Sequence, residues 1–155
     1  MSSQVLRTQV VTDEVWVRFL RAHAAITREL SARLEASHGL TLSDFDVLVQ
    51  LFHAEGHRLR RIDLARQVLL TASGITRLLD GLERAGWVAK ERCSSDQRVT
   101  YAVLTEAGLD KISAARVAHH RDTEELFGAK FNEDELETLD GLLKRLPLAA
   151  TACQA

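Results

Sequence analysis

A chain of 155 residues, 46% hydrophobic, suits one domain with an extension, and no eighteen-residue apolar run makes a membrane-spanning helix of it. Its net charge of −2 gives, as a total, no case for a polyanionic partner. The opening MSSQVLRTQVVTDE lacks the apolar block and cleavage site of a secretory signal, and the distant Cys93 and Cys153 fit a reducing interior, so a cytoplasmic location is expected.

Residues 13–38 read as a long helix. Val15, Phe19, Ile26 and Leu30 repeat at helical spacing with Ala22 between them, and Trp16, Leu20, His23 and Leu34 widen the stripe. Thr12 or Asp13 suits its start, and Gly39 stands where a left-handed stop belongs. This stripe carries more apolar surface than a small domain needs. A second helix starts at Thr41-x-x-Asp44 or Ser43, turns Phe45, Leu48, Leu51 and Phe52 inward, and ends near Gly56.

Two short helices follow. In RIDLARQV, 61–68, the inward residues are Ile62, Leu64, Ala65 and Val68, and Arg60 is a poor cap. In ASGITRLLDGLERAG, 72–86, Thr71 is the cap, Ile75, Leu78, Leu79 and Leu82 face the core, and Gly86 is the stop. A gap of about three residues makes the pair a helix-turn-helix. The period then becomes two in WVAKERC, 87–93, and VTYAVL, 99–104, around the polar Ser94-Ser95-Asp96-Gln97, which predicts a hairpin. Thr105 caps a helix over 106–127. Asn132 and Glu135 form a capping box for the last helix, with Phe131 able to staple to Leu136. Its apolar face is Leu136, Leu139, Leu142, Leu143 and Leu146, and Pro147 ends it.

Charge is unevenly spread. Residues 1–57 hold five basic and seven acidic side chains, residues 58–98 nine and five, and residues 99–155 six and ten. The helix-turn-helix and hairpin are thus a basic island of +4 between acidic flanks of −2 and −4. That pattern suits a polyanion, or a solvated basic face.

The order helix, helix, helix-turn-helix, hairpin, helix, helix is that of a winged helix. The stretches LTLSDFDVL, IDLA, TRLLDGLERAGWV and SDQRVTYAVLTEAG make the segment from Leu40 to Gly108 resemble the MarR family of bacterial transcription regulators. The Asp-x-Arg wing followed by Leu-Thr-x-x-Gly is the most specific part. The resemblance implies a mostly α fold, a winged helix-turn-helix with a two-stranded β-wing and N- and C-terminal dimerisation helices. It divides the chain into a dimerisation helix over 1–39, a DNA-binding domain over 40–105 and dimerisation helices over 106–155. The function it implies is a homodimeric repressor on a pseudo-palindromic operator, released by a small aromatic or phenolic effector. An effector-independent or architectural DNA-binding protein is the alternative, and an interaction module without DNA is a third reading.

The candidate DNA contacts follow from chemistry. Ala72, Ser73, Gly74, Thr76 and Arg77 open the recognition helix. Small residues let it approach, the hydroxyls reach base or phosphate, and Arg77 reaches phosphate or guanine. Arg60, Arg61 and Arg92 suit phosphates. Arg98 suits a narrow minor groove with Asp96 holding its fork, and a surface ion pair that only steadies the turn is the other reading. Family effectors occupy a cleft between the dimerisation helices and the winged domain. Trp16, Leu20 and His23 share one helix face, with His53, His119 and Arg18 as further candidates. Packing of the dimer core explains Trp16 and His23 equally well. Cys93 lies between Arg92 and Ser94 with no neighbouring resolving cysteine, so an unreactive hairpin residue is expected. Peroxide sensors of the family carry their reactive cysteine near the N-terminus, where this chain has none. There is no Cys-x-x-Cys, the adjacent His119 and His120 point apart on a helix, and catalytic motifs are missing. No metal, cofactor or enzymatic activity is expected.

Overall fold

The computed structural model describes residues 3–68, 72–93 and 98–146, with the side chains of 3–9, 72 and 73 excepted. The expected cap at Thr71, the wing residues Ser94, Ser95, Asp96 and Gln97, the stop at Pro147 and Cys153 lie outside them.

The helices are α1 (Ser3–His38), α2 (Leu42–His53), α3 (Arg61–Gln67), α4 (Ala72–Arg84), α5 (Glu106–Leu126) and α6 (Glu133–Leu143). The strands are β1 (Arg58–Arg60), β2 (Val88–Arg92) and β3 (Thr100–Leu104), and all pair antiparallel in the order β1-β3-β2.

Three expectations need correction. The first helix starts at Ser3, ten residues before the expected cap, so Thr12 and Asp13 lie inside it. A cap preference does not start a helix when helix-forming neighbours precede it without Gly or Pro. The wing has a third strand: Arg58–Arg60 pairs with β3, Leu59 opposite Ala102. Three residues of sequence Arg-Leu-Arg carry no usable alternation, and only β3 gives them a ladder. Ile62, expected inside, is 57% exposed. In a helix of seven residues only Leu64 is fully buried, because α3 meets the body along a single narrow line.

The start signals of α2 and α6 hold. The Thr41 hydroxyl accepts from the Asp44 N–H at 3.1 Å, and the Asp44 carboxylate accepts from the Thr41 N–H at 3.0 Å. Asn132 and Glu135 reciprocate in the same way, at 2.9 Å both ways. Gly39 ends α1 at φ 63°, a conformation that costs other residues more. Phe131 packs on Phe127, centroids 5.3 Å apart.

One core gathers Leu34, Leu40, Phe45, Leu48, Leu51, Leu64, Ile75, Leu79, Leu82, Val88, Ala102, Leu104, Ile112 and Ala115. It therefore binds α2, α4, the sheet and the first half of α5 into one unit. The C-terminal half of α1 joins α5 through Arg33, whose fork donates to both Glu125 oxygens at 3.0 and 3.1 Å. Arg33 also reaches the buried Asp122 at 3.6 Å. These bonds hold the Glu125 carboxyl below its ordinary range.

From Val10 to Ala25 the helix α1 is bare. Val15 is 60% exposed and Trp16 57%, with Val10, Val11, Phe19 and Leu20 exposed beside them. Helix α6 buries no residue, and Leu142 and Leu146 are open.

Candidate nucleic-acid interface

Helix α4 carries Ile75, Leu79 and Leu82 into the core, which leaves Thr76, Arg77 and Asp80 on or near its outer side. The backbones of Ala72 and Ser73 form its first turn with Gly74 behind them. Alternation along β2 puts Val88, Lys90 and Arg92 on one face. Val88 is buried, and Lys90 and Arg92 continue that face outward.

These surfaces meet. Arg61, Thr76, Lys90, Arg92, Thr100 and Tyr101 line one cleft between α3, α4 and the sheet. A second recess beside it is lined by Arg60, Arg61, Ile62, Arg98, Val99 and Thr100. The structure thus brings Arg60, Arg61, Thr76, Arg92 and Arg98 onto one basic surface. Arg77 is exposed on the same helix as Thr76. The hairpin is closed near its tip by the Cys93 N–H donating to the Val99 carbonyl at 3.0 Å, and Cys93 itself is half-buried. The expected Asp96–Arg98 pair involves a residue outside those described.

The arginines are not equivalent. Arg61 donates to the Thr76 hydroxyl at 3.3 Å, which ties α3 to the recognition helix and orients that hydroxyl. Arg60 is bound to Asp63 at 2.5 Å, so part of its charge is already answered, and its proton is held more tightly than usual. Asp63 acts where the poor cap leaves the α3 terminus unserved by a side chain.

Residue-by-residue reading overlooked several neighbours. Lys90 binds both Asp80 and Glu83 of α4, the latter at 2.9 Å. Arg58 of β1 lies over the Tyr101 ring at 4.1 Å and faces Glu91 at 3.8 Å. A signal for Lys90 existed: it sits two residues after the apolar Val88 and two before Arg92.

The base of the wing explains the Leu-Thr-x-x-Gly motif. The Thr105 hydroxyl donates to the Gly86 carbonyl at 2.6 Å and accepts from the Gly108 N–H at 3.0 Å. The Thr105 N–H donates to the Trp87 carbonyl at 3.1 Å. A Cβ at position 108 would stand 2.0 Å from that same oxygen, so only glycine lets α5 start there.

The expected effector residues separate. Trp16, Arg18, Leu20 and His23 lie on the exposed half of α1, with Trp16 stacked on Phe19 at 6.2 Å. His53 is exposed at the end of α2 against Phe52. Of the expected effector residues, His119 lines a cleft between α2 and α5, with Phe45, Val49, Arg116, Val117, His120 and Thr123. Its ring lies 4.3 Å from that of Phe45, and burial pushes its pKa down from the ordinary 6.5, partly offset by Asp122. Among the described residues no group of three or more His, Cys, Asp or Glu could hold a metal ion, and no helix is long and apolar enough to cross a membrane.

Comparison with known proteins agrees with this geometry. The MarR family model matches residues 40–100. The HTH-type transcriptional regulator MhqR of Bacillus subtilis is 28% identical over 88% of this chain and 92% of its own length. The HTH-type transcriptional regulator PrsX of Escherichia coli is 30% identical over 82% of this chain and 75% of its own. The crystal structure of AbsC, a MarR family transcriptional regulator from Streptomyces coelicolor, superposes with a TM-score of 0.82. It is 32% identical, covering 86% of this chain and 89% of AbsC. With its three-stranded winged sheet, its helix-turn-helix and its basic face, the chain belongs to the MarR family of DNA-binding transcriptional regulators.

Proposed function

We propose that the protein is a homodimeric repressor that binds a pseudo-palindromic operator. The observation that carries the reading is the single basic surface formed by Arg61, Thr76, Arg92 and Arg98 on α3, α4 and the wing. In this reading α4 enters the major groove, Arg77 and Thr76 read or anchor there, Arg60, Arg61 and Arg92 meet phosphates, and Arg98 enters the minor groove. Two-fold symmetry would set two such helices roughly 34 Å apart. The bare apolar surfaces of α1 and α6 support the dimer, since a monomer rarely leaves such patches in water. Selection of duplexes from a random pool should enrich two half-sites about one helical turn apart. Sedimentation should give a dimer at micromolar concentration. A monomer, or binding indifferent to sequence, contradicts the reading.

Release by a small aromatic or phenolic effector is the finer part of the proposal. The cleft between α2 and α5, about 670 Å³, joins apolar walls at Phe45, Val49 and Val117 to polar groups at Arg116 and His119. Trp16, Arg18, Leu20 and His23 are on the exposed half of α1, so a pocket containing both sets would be completed across the dimer. A ligand there releases DNA only by favouring a recognition-helix spacing unlike the DNA-bound one. Aromatic acids and phenols added to the preformed complex should include compounds that dissociate it, and His119→Ala should blunt that response while keeping DNA affinity. If no compound dissociates the complex, the effector-independent alternative holds.

A further inference from the structure

We propose that Lys90 is a positioning residue: by bridging Asp80 and Glu83 it locks the wing to the recognition helix at the angle at which both meet DNA. The proposal rests on the reading that α4 and the wing contact one duplex together. Its starting point is an electrostatic oddity. Helix α4 must approach a polyanion, yet it carries two carboxylates, Asp80 and Glu83, one and two turns beyond Thr76 on nearly the same side. Left alone, they would repel phosphate. In the structure each is an acceptor for the Lys90 ammonium, which reaches Glu83 at 2.9 Å and is closer still to Asp80. The lysine holds its proton more tightly than usual because of these two acceptors, and Asp80 is correspondingly more acidic.

The placement gives the bridge leverage. Lys90 is the middle residue of β2, opposite Ala102, with its side chain on the face that starts at the buried Val88 and continues to Arg92. A bond from this point to two successive turns of α4 restrains rotation of the hairpin about its base near Gly86 and Trp87. Glu91, facing the other way, meets Arg58 at 3.8 Å, so β2 is held from both sides. Because the ammonium is engaged with two carboxylates beside the helix, its role differs from that of a phosphate clamp. What it contributes is a smaller loss of wing freedom when DNA binds.

The sign of one substitution decides between the roles. Removing acidic charge beside DNA ordinarily tightens binding. If Asp80 and Glu83 serve as anchors for Lys90, the double variant Asp80→Asn/Glu83→Gln should instead weaken binding to the selected duplex by about fivefold, and Lys90→Met should do the same. Combining all three substitutions should add little further, because both sides of one device are already gone. The salt dependence of Lys90→Met should match that of the wild type, since no phosphate contact is lost. Anisotropy titrations on the full-length protein at several salt concentrations read all of this, with melting curves to establish folding. Tighter binding by the Asp80→Asn/Glu83→Gln variant would overturn the proposal, as would a salt slope about one ion smaller for Lys90→Met, which marks a phosphate contact. Failure of the wild type to bind any selected duplex would strike the underlying reading of the interface instead.

Discussion

Replacing Arg98 by alanine should weaken binding to the selected duplex by about 1–3 kcal/mol, roughly five- to 150-fold, while leaving the melting transition in place. Arg98 is exposed immediately before β3 and shares a recess with Arg60, Arg61 and Thr100. Its side chain lies at the surface, so loss of affinity without loss of fold is the signature of a groove contact. A guanidinium suits a narrow groove because negative potential is concentrated there and its charge is weakly hydrated. Asp96→Ala should cost less, since it frees the fork without removing it. Anisotropy at fixed salt measures both. Unchanged affinity for Arg98→Ala would leave this residue only the task of steadying the turn.

The largest expected effect on stability comes from Gly108→Ala. The added methyl would lie 2.0 Å from the Trp87 carbonyl oxygen and 3.0 Å from Leu104 Cδ2. Backbone cannot yield as a flexible side chain does, so α5 must back away from the wing. That movement strains the bonds Thr105 makes to Trp87 and Gly86. A cost of about 2–4 kcal/mol is expected, a fall in Tm on the order of 5–15 °C. Gly81→Ala provides the contrast. It lies inside α4 with nothing within 4 Å of an added Cβ, so it should be neutral or stabilise by up to ~1 kcal/mol. A Gly108→Ala protein that melts with the wild type would show that α5 does not need this close approach. The same variant should weaken operator binding more than its stability loss explains, because α5 joins the DNA-binding unit to α1.

Three helix starts carry their signal within four residues: Thr41 with Asp44, Thr105 with Gly108, Asn132 with Glu135. Such signals are local chemistry, a side chain satisfying N–H groups that the helix itself leaves open, so they are legible without a fold. The buried faces of α2 and α4 were legible for a similar reason. Phe45, Leu48 and Leu51, and then Ile75, Leu79 and Leu82, repeat at helical spacing whatever they pack against. The basic island and the wing motif then singled out the face that is proposed to meet DNA.

What the sequence could not specify depends on residues far apart in the chain. Strand β1 exists because β3, about forty residues later, offers it a ladder, and Ile62 is exposed because α3 touches the body along one line. The Arg33 fork on Glu125 spans 92 positions, and the Lys90 bridge to Asp80 spans ten. Trp16, Leu20 and His23 shared one helical face on paper and His119 was a candidate from another helix, yet Trp16 and His23 lie on bare surface while His119 lines the cleft by Phe45. Periodicity shows that a side chain points away from solvent or toward it along its own helix. Which other element meets that face is a property of packing, and the uncovered surface of α1 and α6 is what the proposed dimer would bury. Composition, caps and spacing therefore determined the helices and the β2–β3 hairpin, whereas tertiary structure alone decided strand β1 and which charges are already paired within the protein, because a pairing between distant segments has no local signature.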